Sequence, residues 1–394
     1  MTGKLLDELS GLCDSAENKR RLSLWERSDQ AIRGETQWHG IPDYNSASGR
    51  AMPVTVECLD KVWHTELGLR LDRFFTDPDY CLEHYLRIQL RKYREFPDDT
   101  PLTREIPVHF GLTHEAGLLR QKVIIGSGDE PTFARVPLVD EHTELAGQVN
   151  LDREQNPYLG MAIAFYRRVW ERAGREFRVI LPQRYRGPQG VTLYIRGFEN
   201  FSLDLHLNPD FAHRLLRHVT QTCKQFVRWR SDFIQEPIAK CDLFNDDIPL
   251  MSPEFYRGFF LPYEKEITDF HGGVRYWHSC GDITKHIEEI HRLDSIDLLD
   301  FGVTMEDKRA RMEKLRGPQA LEIRVHAQRH VQECSEEEAK VYIRKILNDL
   351  REKNIEKYVI RSSGMSVLLG AWEDIRRLAR WVELVREAQE ETPA

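Results

Sequence analysis

The chain has 394 residues, a formal net charge of −8 and 30% charged residues. Its acidic residues are interspersed with arginines as on a solvated surface, which argues against a nucleic-acid partner. No apolar run approaches the roughly 20 residues needed to span a bilayer, and the segment Met1 to Leu24 has no signal-peptide core. The seven cysteines are scattered without a C-x-x-C pair, so they do not form a disulfide framework. We therefore expect a cytoplasmic protein with no membrane partner.

The first half of the chain predicts an extension, two strands and an insertion. Residues 1–48 are expected to form an N-terminal helical extension, and residues 49–394 a single domain. Pro53 to Glu57 and Ile106 to Phe110 are the predicted strands. Residues 111–160 are rich in Gly, Pro, Asp and Glu, and we interpret them as a long insertion after strand two that covers one mouth of the domain as a lid. A surface excursion without order is the alternative.

The second half alternates short apolar runs with amphipathic segments, which is the pattern of βαβ units on a parallel sheet. Asn208-Pro209 and Ser252-Pro253 open two of its helices, Asp282 caps another, and Ser335 begins a capping box. Six further strands are predicted, at Phe177 to Leu181, Ile238 to Phe244, Val274 to His278, Ile296 to Phe301, Ala320 to His326 and Tyr358 to Arg361. With eight strands in all, the sequence predicts an α/β protein folded as a single (β/α)8 TIM-type barrel.

The sharpest local motif is His278-Ser279-Cys280-Gly281, at the end of a predicted strand. Residues two apart on a strand point to the same side, so His278 and Cys280 can aim an imidazole and a thiolate at one point. A catalytic zinc site needs three protein ligands and one open position. The motif therefore supplies two of three ligands for zinc, although a packed pair without metal is the commoner meaning of H-x-C.

Asn245-Asp246-Asp247 follows another predicted strand. Paired carboxylates at such a position serve as an acid/base group, an anchor for a substrate hydroxyl or a further metal ligand. The alternative is a loop in which these side chains accept hydrogen bonds from nearby backbone amides. Both interpretations stay open from the sequence.

Other strand ends carry polar groups that a barrel would bring to the same mouth. Arg324 could hold a carboxylate or phenolate by bidentate contact. The predicted substrate-binding residues are Glu57, His109, Arg186 and Ser363, and the candidate catalytic residues are Asp246, Asp247, Arg324 and His326. For any one of them, a side chain at the rim in water is the plain alternative. Gly187-Pro188-Gln189-Gly190 is neither a P-loop nor a dinucleotide fingerprint, so nucleotide binding has no support.

Taken together, these residues resemble the uroporphyrinogen decarboxylase superfamily over about Pro53 to Val385. The stretches that carry the resemblance are Gly187-Pro188 with Arg196-Gly197-Phe198-Glu199, Asn208-Pro209, Asp246-Asp247 with Ser252-Pro253-Glu254-Phe255, Leu261-Pro262-Tyr263, and His278-Ser279-Cys280-Gly281. The superfamily implies the barrel fold, with the working site at the carboxyl ends of its strands.

Two branches of the superfamily differ in their motifs. True decarboxylases carry an arginine-rich stretch after the first strand, whereas this chain has Pro53 to Cys58 there. The H-x-C-G motif instead resembles zinc-dependent, corrinoid-linked methyltransferases, in which His and Cys are zinc ligands and a second Cys follows the last strand. Here Met365 stands at that place, and a thioether is a poor zinc ligand beside a thiolate. The resemblance then implies completion of the site by Asp247 or Glu57, or no metal.

The function that the resemblance implies is methyl transfer between a small methylated substrate, such as a methyl ether, and the cobalt of a corrinoid carried by a separate protein. Zinc on His278 and Cys280 would act as a Lewis acid. Homodimerisation is compatible with the sequence. Two alternatives remain: a metal-free decarboxylase of a tetrapyrrole or aromatic acid that uses Arg324, Arg184 or Arg186, and a non-catalytic corrinoid- or tetrapyrrole-binding barrel.

Overall fold

The structure is a computed structural model that describes residues 2–26, 38–43, 52–126, 130–134, 136–145, 151–152, 154–181, 184–303 and 308–391. Parts of the predicted N-terminal extension and of the predicted insertion therefore lie outside the described residues, as does the side chain of Arg184.

The helices lie largely where the amphipathic segments predict them. They span Thr2–Cys13, Ala16–Leu22, Asp60–Leu67, Leu71–Phe74, Pro78–Glu95, His114–Leu118, Pro157–Ala173, Pro188–Arg196, Phe198–Leu207, Pro209–Ile234, Pro253–Phe255, Leu261–His271, Ile287–Ile290, Arg309–Met312, Glu336–Glu352 and Ala371–Glu391. Short 3-10 turns occur at Gly111–Thr113 and Ile248–Leu250, and π-helical turns at Tyr256–Phe260 and Gln328–Gln332. The described part of the chain has no helix long and apolar enough to cross a membrane.

Seven strands form one parallel sheet that curls into a half-barrel. The strands are β1 (Val54–Cys58), β2 (Glu105–Pro107), β3 (Val123–Ile124), β4 (Thr132–Phe133), β5 (Arg178–Ile180), β6 (Arg184–Tyr185), β7 (Cys241–Phe244), β8 (Val274–His278), β9 (Ile296–Phe301), β10 (Ala320–His326) and β11 (Tyr358–Met365). The order in the sheet is β1-β11-β10-β9-β8-β7-β6, and a separate parallel pair joins β2 to β5.

All eight predicted strands are present, with small shifts at their ends. Strand β6 is an addition: it begins shortly after β5 and pairs with β7, while β5 pairs with β2. Among the described residues, no ladder joins β1 to β2 or β5 to β6. The α/β class with a TIM-like curled sheet is confirmed, and closure into a complete (β/α)8 barrel stays a prediction.

The helix starts show how local chemistry sets the elements. Ser335 and Glu338 form the predicted capping box, and the Ser252 side chain accepts a hydrogen bond from the backbone N–H of Phe255. The prediction at Asp282 is wrong: its carboxylate accepts from the backbone and hydroxyl of Thr284, and the helix begins only at Ile287. Asp282 therefore closes a local turn, the usual competing use of an Asp side chain.

Alternating side chains give the sheet two different faces. In β10, the side chains of Leu321, Ile323 and Val325 pack into the main hydrophobic core. Glu322 and Arg324, between them, are also buried but belong to networks of ion pairs. One face of the sheet is thus apolar and covered by helices, and the other is charged and enclosed.

The predicted insertion packs against the helix that follows β6. Its backbone N–H groups at Leu138 and Val139 donate to the carbonyl of Ile195, in the helix after β6. The Gln121 side chain donates to the carbonyls of Ala134, Val136 and Tyr194. These contacts fit a lid at that end of the sheet, which stays a prediction.

Two aspartates hold the β1 edge, where the described residues provide no strand partner. Asp99 accepts a hydrogen bond from the backbone N–H of Val54 at 3.0 Å, and Asp98 accepts from that of Val56 at 3.2 Å. Arg386 of the last helix donates to Asp99 at 3.0 Å. Side chains thus replace ladder hydrogen bonds at this edge.

We expect Asp99→Ala to lower the free energy of unfolding by about 1–3 kcal/mol, because it leaves a buried strand N–H without an acceptor. Asp99→Asn keeps an acceptor oxygen and should lose less. Urea unfolding of both variants checks this. If both variants have the same free energy of unfolding as the wild type, Asp99 does not hold this edge.

Candidate metal centre and its surroundings

Three side chains with metal-binding atoms meet beyond the ends of β7 and β8. They are Asp246, His278 and Cys280, and their ligand atoms all lie within 4.8 Å of one another. His278 Nε2 lies 3.2 Å from Asp246 Oδ1 and 3.3 Å from Cys280 Sγ. We call this group the DHC cluster. The sequence predicted that Asp247 or Glu57 would complete the site of His278 and Cys280. In the structure Asp246 lies there, and neither Asp247 nor Glu57 belongs to the DHC cluster.

The sequence builds the DHC cluster locally. His278 ends β8, and Cys280 follows two residues later on the same side. Strands β7 and β8 pair in parallel with Phe244 opposite His278, so the residues just after β7 come to the same place. The backbone N–H of Cys280 donates to Asp246 Oδ1 at 2.7 Å, which fixes the two loops to each other.

A second carboxylate holds the other side of the His278 ring. Asp300 Oδ2, from β9, lies 2.5 Å from Nδ1, and the Tyr276 hydroxyl lies 3.2 Å from the same atom. Burial alone would lower the pKa of His278, but the charges of Asp246 and Asp300 outweigh it and raise that pKa well above its usual value. The ring is held at both nitrogens, so its orientation is fixed.

Arg324 connects the DHC cluster to the end of β11. Its guanidinium lies 3.1 Å from Asp300, 3.3 Å from His278 Nδ1 and 3.8 Å from Cys280 Sγ. Arg324 Nε donates to Ser363 Oγ at 3.0 Å, and Ser363 in turn donates to Glu57 at 2.6 Å.

Glu57 is buried but stays charged. Burial tends to raise its pKa, yet Arg361, Arg324 and the Ser363 hydroxyl outweigh burial and lower it. Arg361 lies 2.9 Å from Glu57. The Glu57 carboxylate is therefore held by its ion pair with Arg361 and its hydrogen bond from Ser363.

Arg186 lies on the opposite side of Asp246. Its guanidinium pairs with Asp246 and lies 3.7 Å from Asp247 Oδ2. Gly190 permits this approach, because an added Cβ would meet Arg186 Cγ at 2.8 Å and Asp247 Oδ2 at 3.3 Å. The pKa of Asp247 is raised, first by burial and also by the Asp246 charge, although Arg186 opposes this. The two neighbouring aspartates thus have different environments.

A cavity opens between Arg186 and the end of β2. Its lining is mostly apolar and aromatic, with Phe110, Phe226, Phe244, His109, His114 and Glu115 among its residues. Phe244 also packs against His278, with ring centroids 5.0 Å apart. The cavity therefore borders the DHC cluster through Phe244 and Arg186.

The structure brings most predicted site residues together. Asp246, His278, Cys280, Arg324, Ser363 and Glu57 form one connected network, Asp247 joins it through Arg186, and His109 lines the adjoining cavity. His326 is half-buried, and its Nδ1 has no hydrogen-bond partner among the described residues. Met365, at the position of the expected second cysteine, is buried in the main hydrophobic core.

Sequence reasoning missed Asp300, Tyr276, Glu322, Arg361 and His39. Four of them lie on strands, and in β10 Glu322 alternates with the apolar Leu321 and Ile323. Charged side chains within otherwise apolar strands were the available signal for Asp300, Glu322 and Arg361. His39 had none, because it lies in a segment without periodicity.

The curled parallel sheet and a polar site at its carboxyl ends define a TIM-like α/β protein. The sequence model of the uroporphyrinogen decarboxylase (URO-D) family matches residues 74–387, so the chain belongs to this family. No curated protein matches the chain. Among solved structures, a methyltransferase from Methanosarcina mazei is similar in fold, with a TM-score of 0.59 and 14% sequence identity, over 85% of this chain and 95% of that chain.

One further buried carboxyl lies behind the loop after β7. Glu264 accepts a hydrogen bond from the Tyr256 hydroxyl at 2.7 Å and is fully buried. Burial raises its pKa from the usual 4.5 to about 7, although hydrogen bonds from Tyr256 and Gln189 act in the opposite direction. Gln189 also bonds to Asn245, which precedes Asp246.

This shift predicts a dependence of stability on pH. The native state keeps the Glu264 proton up to a pH of about 7, whereas the unfolded chain loses it near 4.5. The free energy of unfolding should therefore fall as pH rises through this window and level off above it. Urea unfolding between pH 5 and pH 8 tests this, and Glu264→Gln should show a smaller fall. An equal fall in both proteins would assign the effect to other groups.

Proposed function

We propose that the protein is a methyltransferase that moves a methyl group between a small methylated substrate and the cobalt of a corrinoid protein, with zinc at the DHC cluster. The observation that carries this proposal is the meeting of one carboxylate, one imidazole and one thiol at the carboxyl ends of adjacent parallel strands. Family membership and the fold shared with a protein titled a methyltransferase support it.

The donor set fits zinc in chemistry and spacing. Zinc in proteins is bound by thiolate, imidazole and carboxylate, with donors at about 2.0–2.3 Å in tetrahedral sites, so neighbouring donors lie roughly 3.3–3.6 Å apart. The separations of 3.2 and 3.3 Å from His278 Nε2 to its two partners are close to that spacing. Three protein ligands would leave one position open, as in catalytic sites.

The surrounding residues would orient these ligands. Asp300 holds Nδ1 of His278, which leaves Nε2 to face Asp246 and Cys280. Carboxylates in this position raise the basicity of a metal-binding histidine and fix its ring. Arg186 holds the second oxygen of Asp246, so that carboxylate is fixed too.

The transfer would break a methyl–oxygen bond. A reduced corrinoid on the partner protein would supply the electron pair that the methyl carbon accepts, and both electrons of the broken bond would stay on the leaving oxygen. Bound zinc would supply Lewis acidity at that oxygen. Asp247, next to Asp246 and 3.7 Å from Arg186, is the proposed proton donor to the leaving oxygen, and burial shifts its pKa upward.

A second candidate is the metal-free decarboxylase. It is favoured by the two buried guanidinium groups of Arg186 and Arg324, which flank Asp246 and His278 and could hold a substrate carboxylate. Both groups are already paired with carboxylates of the protein, so a substrate would have to compete for them. This competition makes it the weaker candidate.

We expect the purified protein to bind about one zinc per chain and Cys280→Ala to lose most of it, because two remaining ligands hold the ion weakly. Asp246→Ala should also lose zinc, whereas Asp247→Ala should retain it. Cys334→Ala is the matched control for removal of a half-buried thiol. Elemental analysis under reducing conditions measures the metal, and zinc retained by Cys280→Ala but lost from Cys334→Ala would contradict the proposed site.

Activity can be tested with free cobalamin reduced to the cobalt(I) state and small methoxy compounds such as 2-methoxyphenol. We expect methylcobalamin to accumulate, seen by its absorbance, and Cys280→Ala to reduce the rate by 10-fold or more, in the range that removal of a transition-state-stabilising group costs. If metal-free protein instead releases carbon dioxide from aromatic acids and transfers no methyl group, the methyltransferase proposal is wrong and the protein is a decarboxylase. A zinc-free protein that binds cobalamin but catalyses neither reaction would favour the binding barrel.

A further inference from the structure

The N-terminal segment around His39 enters the charged interior of the sheet. Trp38, His39 and Ile41 are 3%, 2% and 7% exposed. Leu24, Trp25, Trp38 and Ile41 form a hydrophobic cluster with Phe244, Tyr276, Leu298, Ala320 and Val359. Ala320 and Val359 lie at the amino ends of their strands, so this segment closes the end of the sheet opposite the DHC cluster.

His39 is a buried polar residue of this segment. Its ring stacks on Tyr276, with centroids 4.0 Å apart and an interplanar angle of 25°. Nδ1 lies 2.9 Å from Glu322 Oε2, and Arg361 NH1 lies 2.6 Å from Nδ1 and 3.1 Å from Nε2. A neutral ring with its proton on Nδ1 donates to Glu322, and Arg361 NH1 lies against the same edge of the ring. Burial, with help from Arg361 and Arg275, lowers the pKa of His39 well below its usual value, which agrees with a neutral ring.

A short hydrogen-bond path leads from His39 to the DHC cluster. The two oxygens of Glu322 are shared, since Oε2 faces His39 and Oε1 accepts from the Tyr276 hydroxyl at 2.7 Å. Because Tyr276 gives its proton to Glu322, its oxygen is left to accept from His278 Nδ1–H at 3.2 Å. The path therefore requires the proton of His278 to be on Nδ1 and leaves Nε2 for the DHC cluster.

We infer that His39 is a positioning residue of the candidate metal centre, acting through Glu322 and Tyr276 on the ring of His278. The inference rests on the proposed zinc site and adds to it a role for the N-terminal extension. Groups behind a metal-binding histidine typically change metal affinity by about 10–100-fold when they are removed. His39 and Tyr276 contribute no ligand atom to the DHC cluster, so a loss of affinity on their removal reports positioning.

The experiment compares zinc affinity, by competition with a chromophoric chelator, in His39→Ala, His39→Gln and Tyr276→Phe. We expect His39→Ala and Tyr276→Phe to weaken binding by about 10-fold or more, with partial recovery in His39→Gln, which retains a donor. Leu24→Ala is the matched control: it removes apolar packing from the same cluster, so it should lower Tm and leave the zinc affinity within about two-fold of wild type. Tyr276→Phe removes a single oxygen from the hydrogen-bond path. It therefore still tests the path if His39→Ala fails to fold.

Wild-type affinity in both His39→Ala and Tyr276→Phe overturns the inference, as does an equal loss in Leu24→Ala. If the wild-type protein takes up no zinc, the proposed function fails. A second measurement then tests, without zinc, whether His39 positions the ring of His278. In protein carrying 15N-labelled histidine, the Nδ1 proton of His278 lies between Asp300 and Tyr276 and should exchange slowly with water. Faster exchange in both variants supports the role of His39, and unchanged exchange overturns it.

Discussion

Burial of charge on the inner face of the curled sheet is the constraint on which the rest of the structure depends. Glu57, Asp242, Asp300, Glu322, Arg275, Arg324 and Arg361 are all at most 7% exposed. An ionised group is expensive to remove from water unless it is paired and hydrogen-bonded, and removing one partner of a buried pair typically costs about 3–5 kcal/mol. Each of these groups has an oppositely charged partner on a neighbouring strand. The register of the parallel strands is therefore tied to charge neutrality as well as to apolar packing.

The same constraint ties the residues of the candidate metal centre to one another. Arg324 bridges Asp300 and Ser363, Ser363 reaches Glu57, and Asp300 holds the ring of His278. A shift of any one strand would leave a buried charge without its partner, which is costly. Interactions that stabilise the sheet thus also fix the ligand atoms, and preorganised ligands are what a metal-dependent reaction needs. Stability and function are expected to depend on the same residues.

The departure from the methyltransferase motif is resolved by packing. Met365 is fully buried among apolar side chains, so it takes part in the core. Asp246 reaches the point where His278 and Cys280 meet, because the loop after β7 is bonded to the backbone of Cys280. A carboxylate in place of a thiolate makes a harder, more oxygen-binding donor set. If zinc binds there as proposed, that set would suit activation of an ether oxygen better than activation of a thiol.

The sequence by itself determined the local elements and the chemistry available at their ends. Apolar periodicity predicted all eight strands, cap residues such as Ser335 predicted helix starts, and the alternation of side chains placed His278 and Cys280 on one side of β8. These features depend on neighbours within a few residues, which the sequence specifies directly. Only the tertiary structure shows that Asp246, and neither Asp247 nor Glu57, meets His278 and Cys280. It alone also shows that Asp300 pairs with His278 and that His39 enters the interior of the sheet. Each of these contacts joins residues far apart in the chain. Which residues meet depends on distances of a few ångströms and on the cost of leaving a buried charge unpaired, and local sequence spacing encodes neither.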